Sequence, residues 1–169
     1  DVVVPTGSFL QRQIQAGVFM PLDKSKLTNY DNLWDRIMER VANYDPGNKH
    51  AVNYMWGTTG IGYNVDAVQE RLGKERIESW SVLLEPGMLA KFADCGVHFL
   101  DAPTELFPAM LNYMGEDPDS KDPDTLRAAA ERLNDLRPHV KQVHSSAYIN
   151  ALANGDACLV IGWSGDVLQ

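Results

Sequence analysis

Several features that announce particular classes of protein are missing from this chain. No apolar run approaches the ~20 residues that a membrane-spanning helix requires. There are only two cysteines, Cys95 and Cys158, and they form neither a Cys-x-x-Cys pair nor any metal-ligand spacing. The four histidines, His50, His98, His139 and His144, are not closely spaced either, so each reads as structural and no metal or other cofactor is expected. Positive charge is in short supply: 15 Lys and Arg face 23 Asp and Glu, for a net charge of −8. That balance argues against nucleic acid or an anionic membrane as partner and is compatible with a cationic ligand. No internal repeat stands out. Gly57-x-x-Gly60-x-Gly62 lacks the helix that opens directly from a dinucleotide-binding fingerprint.

What is present is an ordinary globular composition. Of 169 residues, 44% are hydrophobic and 22% charged, enough for one domain or two small ones around a real core. The chain opens inside an apolar stretch, Asp1-Val2-Val3-Val4, and closes at Asp166-Val167-Leu168-Gln169 in what reads as the first turn of a helix. Such ends are expected of a portion cut from a longer protein.

Short strands and helices alternate, which predicts an α/β fold. Strands are expected at Asp1–Val4, Val97–Leu100, Val140–Val143 and Ala157–Ile161, with two extended runs on either side of Gly57. Helices are expected over Phe9–Gly17, Asp31–Ala42, Asp66–Gly73, Ser79–Leu84, Pro86–Ala93 and Leu126–Leu136, and from Ser145 or Ser146 to Gly155. A helix opening at Pro103 should kink or restart at Pro108. A domain boundary is placed near Asn53, where aromatics and glycines suit a chain crossing between domains.

The stretch that organises the rest is Leu159-Val160-Ile161-Gly162-Trp163-Ser164-Gly165-Asp166. A buried-strand run breaks at two glycines, with an indole, a hydroxyl and a carboxylate just beyond. Ligands of open α/β sheets bind past the carboxyl ends of strands, and an aromatic face beside an anion suits an organic cation. The competing reading is a tight turn in which Trp163 is core and Asp166 caps a helix. Glu105 has the same two readings: it either complements a helix dipole or touches a ligand. Thr6 and Ser8, at the end of the first apolar stretch, are either N-caps or ligand contacts. Gly162-Trp163-Ser164-Gly165-Asp166 also approaches the nucleophile elbow Gly-x-Ser-x-Gly of α/β-hydrolases, with Ser164 as nucleophile. It fails at Asp166, and His144 precedes the serine instead of following it.

Spread along the whole chain are Val4-Pro5-Thr6-Gly7-Ser8-Phe9-Leu10-Gln11-Arg12-Gln13, Leu22-Asp23-Lys24-Ser25-Lys26-Leu27 and Tyr54-Met55-Trp56-Gly57-Thr58-Thr59-Gly60-Ile61-Gly62-Tyr63-Asn64. They are followed by Cys95-Gly96-Val97, Phe99-Leu100-Asp101-Ala102-Pro103, His144-Ser145-Ser146, and Leu152-Ala153-Asn154-Gly155-Asp156 running on to Trp163-Ser164-Gly165-Asp166. In this co-linear set the sequence resembles the periplasmic polyamine-binding proteins of bacterial ABC transporters, the putrescine-binding type above all.

The resemblance implies a periplasmic-binding-protein-like, two-lobed α/β fold of which this chain is an incomplete central part. Residues 1–53 would end the first-lobe segment, and 54–169 would form most of the second lobe. It implies a monomeric periplasmic protein that binds, and does not transform, putrescine or a related polyamine and delivers it to an ABC transporter permease. The ligand residues it implies are Thr6, Ser8, Glu105, Trp163 and Asp166, with Thr6 standing where a serine is expected. It also implies an oxidising compartment and cysteines at both places, so a Cys95–Cys158 disulfide is expected, against two buried thiols as the alternative.

Overall fold

The computed structural model describes all residues, 1–169, as two compact units divided between Trp56 and Gly57.

In residues 1–56, helix α1 spans Gly7–Gln15 and helix α2 spans Asp35–Val41. The strand expected at Asp1–Val4 does not form, and Val2, Val3 and Val4 are exposed. A strand needs a neighbour to take its backbone hydrogen bonds, and no strand lies elsewhere in this unit. α1 buries Leu10, and its closing turn places Gly17 at φ +70°. α2 starts later than the apolar spacing suggests, because Leu33 and Trp34 are extended after a 3-10 turn at Tyr30–Asn32. The turn after α2 is built on Asp45, whose fully buried carboxylate accepts from the backbone N–H groups of His50 (2.7 Å) and Ala51 (3.0 Å). Burial works to raise this carboxyl's pKa, but the His50 ring at 2.9 Å and those N–H donors outweigh it and hold the group below the usual aspartate value.

Residues 57–169 form a four-stranded sheet with helices α3 to α9. β1 (Thr59–Tyr63), β2 (Val97–Phe99), β3 (Gln142–Val143) and β4 (Leu159–Trp163) lie in the order β1-β4-β2-β3. β2 is parallel to both β3 and β4, whereas β1 runs antiparallel to β4 with Thr59 opposite Trp163. β4 therefore lies between two neighbours, and Leu159, Val160 and Ile161 are each wholly buried. A strand covered on both faces reads as a continuous apolar run for this reason. Of the two extended runs around Gly57, only the second is a strand, while Tyr54, Met55 and Trp56 are irregular and exposed.

The helices are α3 (Val65–Leu72), α4 (Ser81–Leu84), α5 (Pro86–Leu89), α6 (Pro103–Met114), α7 (Pro123–Leu136), α8 (Ala147–Asn154) and α9 (Ser164–Val167). Asn64 caps α3 by accepting from Ala67 N–H at 3.0 Å, and Asp122 caps α7 through Thr125 N–H at 2.8 Å. α6 does not restart at Pro108: a single helix runs from Pro103 to Met114 with the proline inside it. The carbonyl deprived of a partner is that of Thr104, in the exposed first turn, where water can satisfy it. Neither serine hydroxyl caps α8; instead His144 Nδ1 accepts from the N–H groups of Ser146 and Ala147, both at 3.1 Å.

Cys95 and Cys158 form the expected disulfide, with their Cα atoms 5.6 Å apart. It joins the residues leading into β2 and β4. Beside it Gly96 takes φ +92° and its carbonyl accepts from Cys158 N–H at 2.9 Å. A Cβ on Gly96 would overlap the Asp156 carbonyl oxygen. Gly96→Ala is therefore expected to cost about 2 kcal/mol or more, from left-handed strain and the parting of β2 from β4. Urea unfolding measures this, and a cost below ~0.5 kcal/mol would mean that the backbone here yields freely.

Candidate ligand-binding site

β2 and β4 are parallel neighbours, so the segments that follow them leave from the same edge of the sheet. β2 leads into α6, whose first turn carries Glu105; β4 ends at Trp163 and leads into α9, which carries Asp166. All three residues are half-buried.

Two hydroxyl groups connect them. Thr59 is the cross-strand partner of Trp163, and its Oγ1 donates to Glu105 Oε2 at 2.5 Å. Thr59 thus ties the end of β4 to the Glu105 carboxylate. On the other side, Tyr148 of α8 is completely buried. Its hydroxyl accepts from the Trp163 backbone N–H at 3.1 Å and donates to Asp166 Oδ2 at 2.5 Å. Burial first, and the bond to Asp166 second, push the Tyr148 pKa up to about 12, so it stays a donor through the neutral range. Gly162 makes room for this ring, because a Cβ there would lie 2.7 Å from Tyr148 Cε2.

The sequence brings Glu105, Trp163 and Asp166 to one edge, as the strand-end pattern implies. Thr6 and Ser8 lie in the other unit. Thr6 occupies the N-cap position of α1 but makes no capping bond, and Ser8 is half-buried in the first turn. Thr59 and Tyr148 escape sequence reasoning. Thr59 lies 46 residues from its carboxylate and Tyr148 lies 18 from its own, and neither belongs to a local motif.

Ser164 is not arranged as a nucleophile. Its Oγ accepts from Thr58 N–H at 3.2 Å and its own N–H donates to the Thr58 carbonyl at 2.9 Å, which prolongs the β1–β4 pairing. His144 is committed to the start of α8. A serine hydrolase needs a histidine at the serine oxygen, and nothing supports that alternative.

The three residues form an open wall; clefts of about 380 and 450 Å³ in this unit lie elsewhere, beside His98 and Tyr113. Chemically, the wall offers an aromatic face and two carboxylates, each with one oxygen engaged by a hydroxyl. The other oxygen is left to accept hydrogen bonds, a set suited to an alkylammonium group.

The chain is 54% identical over 171 residues to the putrescine-binding periplasmic protein PotF of Escherichia coli (strain K12), with 100% of this chain and 46% of that protein covered. It is 51% identical over 170 residues to the putrescine-binding periplasmic protein SpuD of Pseudomonas aeruginosa (strain UCBPP-PA14), again across 100% and 46%. The chain thus spans about half the length of these relatives. The crystal structure of the spermidine/putrescine ABC transporter substrate-binding protein PotD from Streptococcus pneumoniae superposes with a TM-score of 0.77 at 25% identity, covering 96% of this chain and 47% of that one. A family model described as bacterial extracellular solute-binding protein matches residues 1–169. The chain belongs to that family of bacterial extracellular solute-binding proteins.

Proposed function

We propose that the full-length protein is a periplasmic receptor that encloses putrescine or a related polyamine between two lobes and presents it to an ABC transporter permease. In this reading residues 1–53 end a first-lobe segment and 54–169 make up most of the second lobe. Trp163 packs against the alkyl chain, while Glu105 and Asp166 accept from protonated amines. Thr6 and Ser8 contribute hydroxyls from the first lobe. The protein acts as a monomer and needs no cofactor.

The observation that carries the reading is that Glu105, Trp163 and Asp166 follow or end two neighbouring parallel strands at one sheet edge, in a chain whose 51–54% identical relatives are putrescine-binding proteins. Desolvating a diammonium is costly, so a site for it must supply placed carboxylates. Capping explains neither acid as well: Asp166 takes a side-chain bond from Tyr148, and Glu105 takes one from Thr59. Threonine at position 6 keeps the hydroxyl and adds a methyl, which narrows the site at that point.

Calorimetry on the full-length protein with putrescine, spermidine, amino acids and sugars tests the proposal. Heat from the linear amines and none from the others is expected. A response only to amino acids or sugars would overturn it.

A further inference from the structure

The two hydroxyls that connect the site stand outside the ligand set proposed above. We propose that Thr59 and Tyr148 are positioning residues of the amine site, each fastening one oxygen of one carboxylate so that the other oxygen is presented to the cation. The inference rests on the amine-binding reading and extends it to residues that do not themselves touch the ligand.

The direction of the Tyr148 bond follows from counting hydrogens. A phenol has one hydrogen to give and lone pairs to receive. Its oxygen already receives the Trp163 N–H at 3.1 Å, so its hydrogen goes to Asp166 Oδ2 at 2.5 Å. A buried donor that stays protonated through the neutral range keeps that bond in place. The Trp163 backbone and the Asp166 carboxylate are thereby fixed to the same atom. Thr59 is held in the ladder opposite Trp163, and it gives its hydrogen to Glu105 Oε2. Hydrogen bonds within the chain engage Oδ2 of Asp166 and Oε2 of Glu105; Oδ1 and Oε1 remain for a ligand. A carboxylate free to rotate must be ordered when the cation arrives, at a cost in affinity, and a tethered one is already ordered. Both tethers are anchored on the β1–β4 pair or the helix packed on it, so the spacing of the two acids is set before ligand arrives.

Tyr148→Phe and Thr59→Val remove each hydroxyl and keep the packing shape. In the full-length protein each is expected to weaken putrescine binding roughly 5- to 20-fold by calorimetry. A purely structural role would give the same loss in every background, so the deciding measurement is a set of double-mutant cycles. In Asp166→Ala, measured at raised protein and ligand concentrations, adding Tyr148→Phe should change affinity less than about twofold. In Glu105→Ala, the same change should keep its full factor. The pattern should reverse for Thr59→Val, which lies at a half-buried position and tests the inference independently should Tyr148→Phe fold poorly. Equal factors in both backgrounds, or no loss from either variant, would overturn the tethers while leaving the amine site standing. No loss of putrescine binding from either Asp166→Ala or Glu105→Ala would instead overturn the amine-binding reading itself.

Discussion

Asp166→Asn in the full-length protein is expected to weaken putrescine binding by roughly a hundredfold or more, on the order of 3 kcal/mol. The substitution keeps the size of the side chain and one carbonyl oxygen, which still accepts from Tyr148, so the fold around Gly162 and Trp163 is preserved. What disappears is the negative charge opposite an enclosed ammonium. Leaving a desolvated charge without its partner is among the most damaging changes a binding site can suffer. The size of the loss depends on enclosure. On an open wall such as residues 57–169 present, water screens the same contact to ~0–1 kcal/mol. Calorimetry read beside thermal melting separates the two cases. A loss under ~0.5 kcal/mol with an unchanged melting temperature would make Asp166 an acceptor for Tyr148 and nothing more.

Replacing both Cys95 and Cys158 by serine is expected to lower the stability of residues 57–169 by about 4 kcal/mol and the melting temperature by about 15 °C. The bridge closes a loop with a sequence separation of 63, which restrains the unfolded chain strongly. In the chain-entropy account the benefit grows with the logarithm of loop length. The position matters as well. The disulfide sits where the β2–β4 register begins, with Val97 opposite Leu159, and both strands lead to proposed ligand residues. Its loss should therefore weaken amine binding in addition to stability. Thermal melting of the oxidised protein against the double variant checks the first effect. Thiol titration of the denatured, unreduced protein checks the bond itself, since two free thiols per chain would refute it.

Much of the second unit is legible in its residues alone. Leu159-Val160-Ile161 has the apolar continuity of a strand buried on both faces, and it lies inside the sheet with neighbours on either side. The helix expected at Asp66–Gly73 forms at Val65–Leu72 and ends at Gly73, because its stop signal is purely local. One expectation fails for want of a partner. Asp1–Val4 has the composition of a strand, but a strand exists only beside another, and residues 1–56 provide none. A restart of the helix at Pro108 also does not occur, because the bond the proline forbids belongs to a carbonyl in the exposed first turn, where its loss is tolerable.

The site divides in the same way. Residue types and their order along the chain single out Trp163, Asp166 and Glu105 as candidates, because strand ends followed by helices can be recognised from local pattern. The sequence alone also carries the kinship with solute-binding proteins, since co-linear motifs survive without knowledge of where they fold. Only tertiary structure puts Thr59 against Glu105 and Tyr148 between Trp163 and Asp166. Those contacts span 46, 18 and 15 residues and arise from the β1–β4 register and the packing of α8 on the sheet. No local propensity encodes such pairings: a hydrogen bond between distant side chains is decided by which backbones the core brings together, and that is a property of the whole fold.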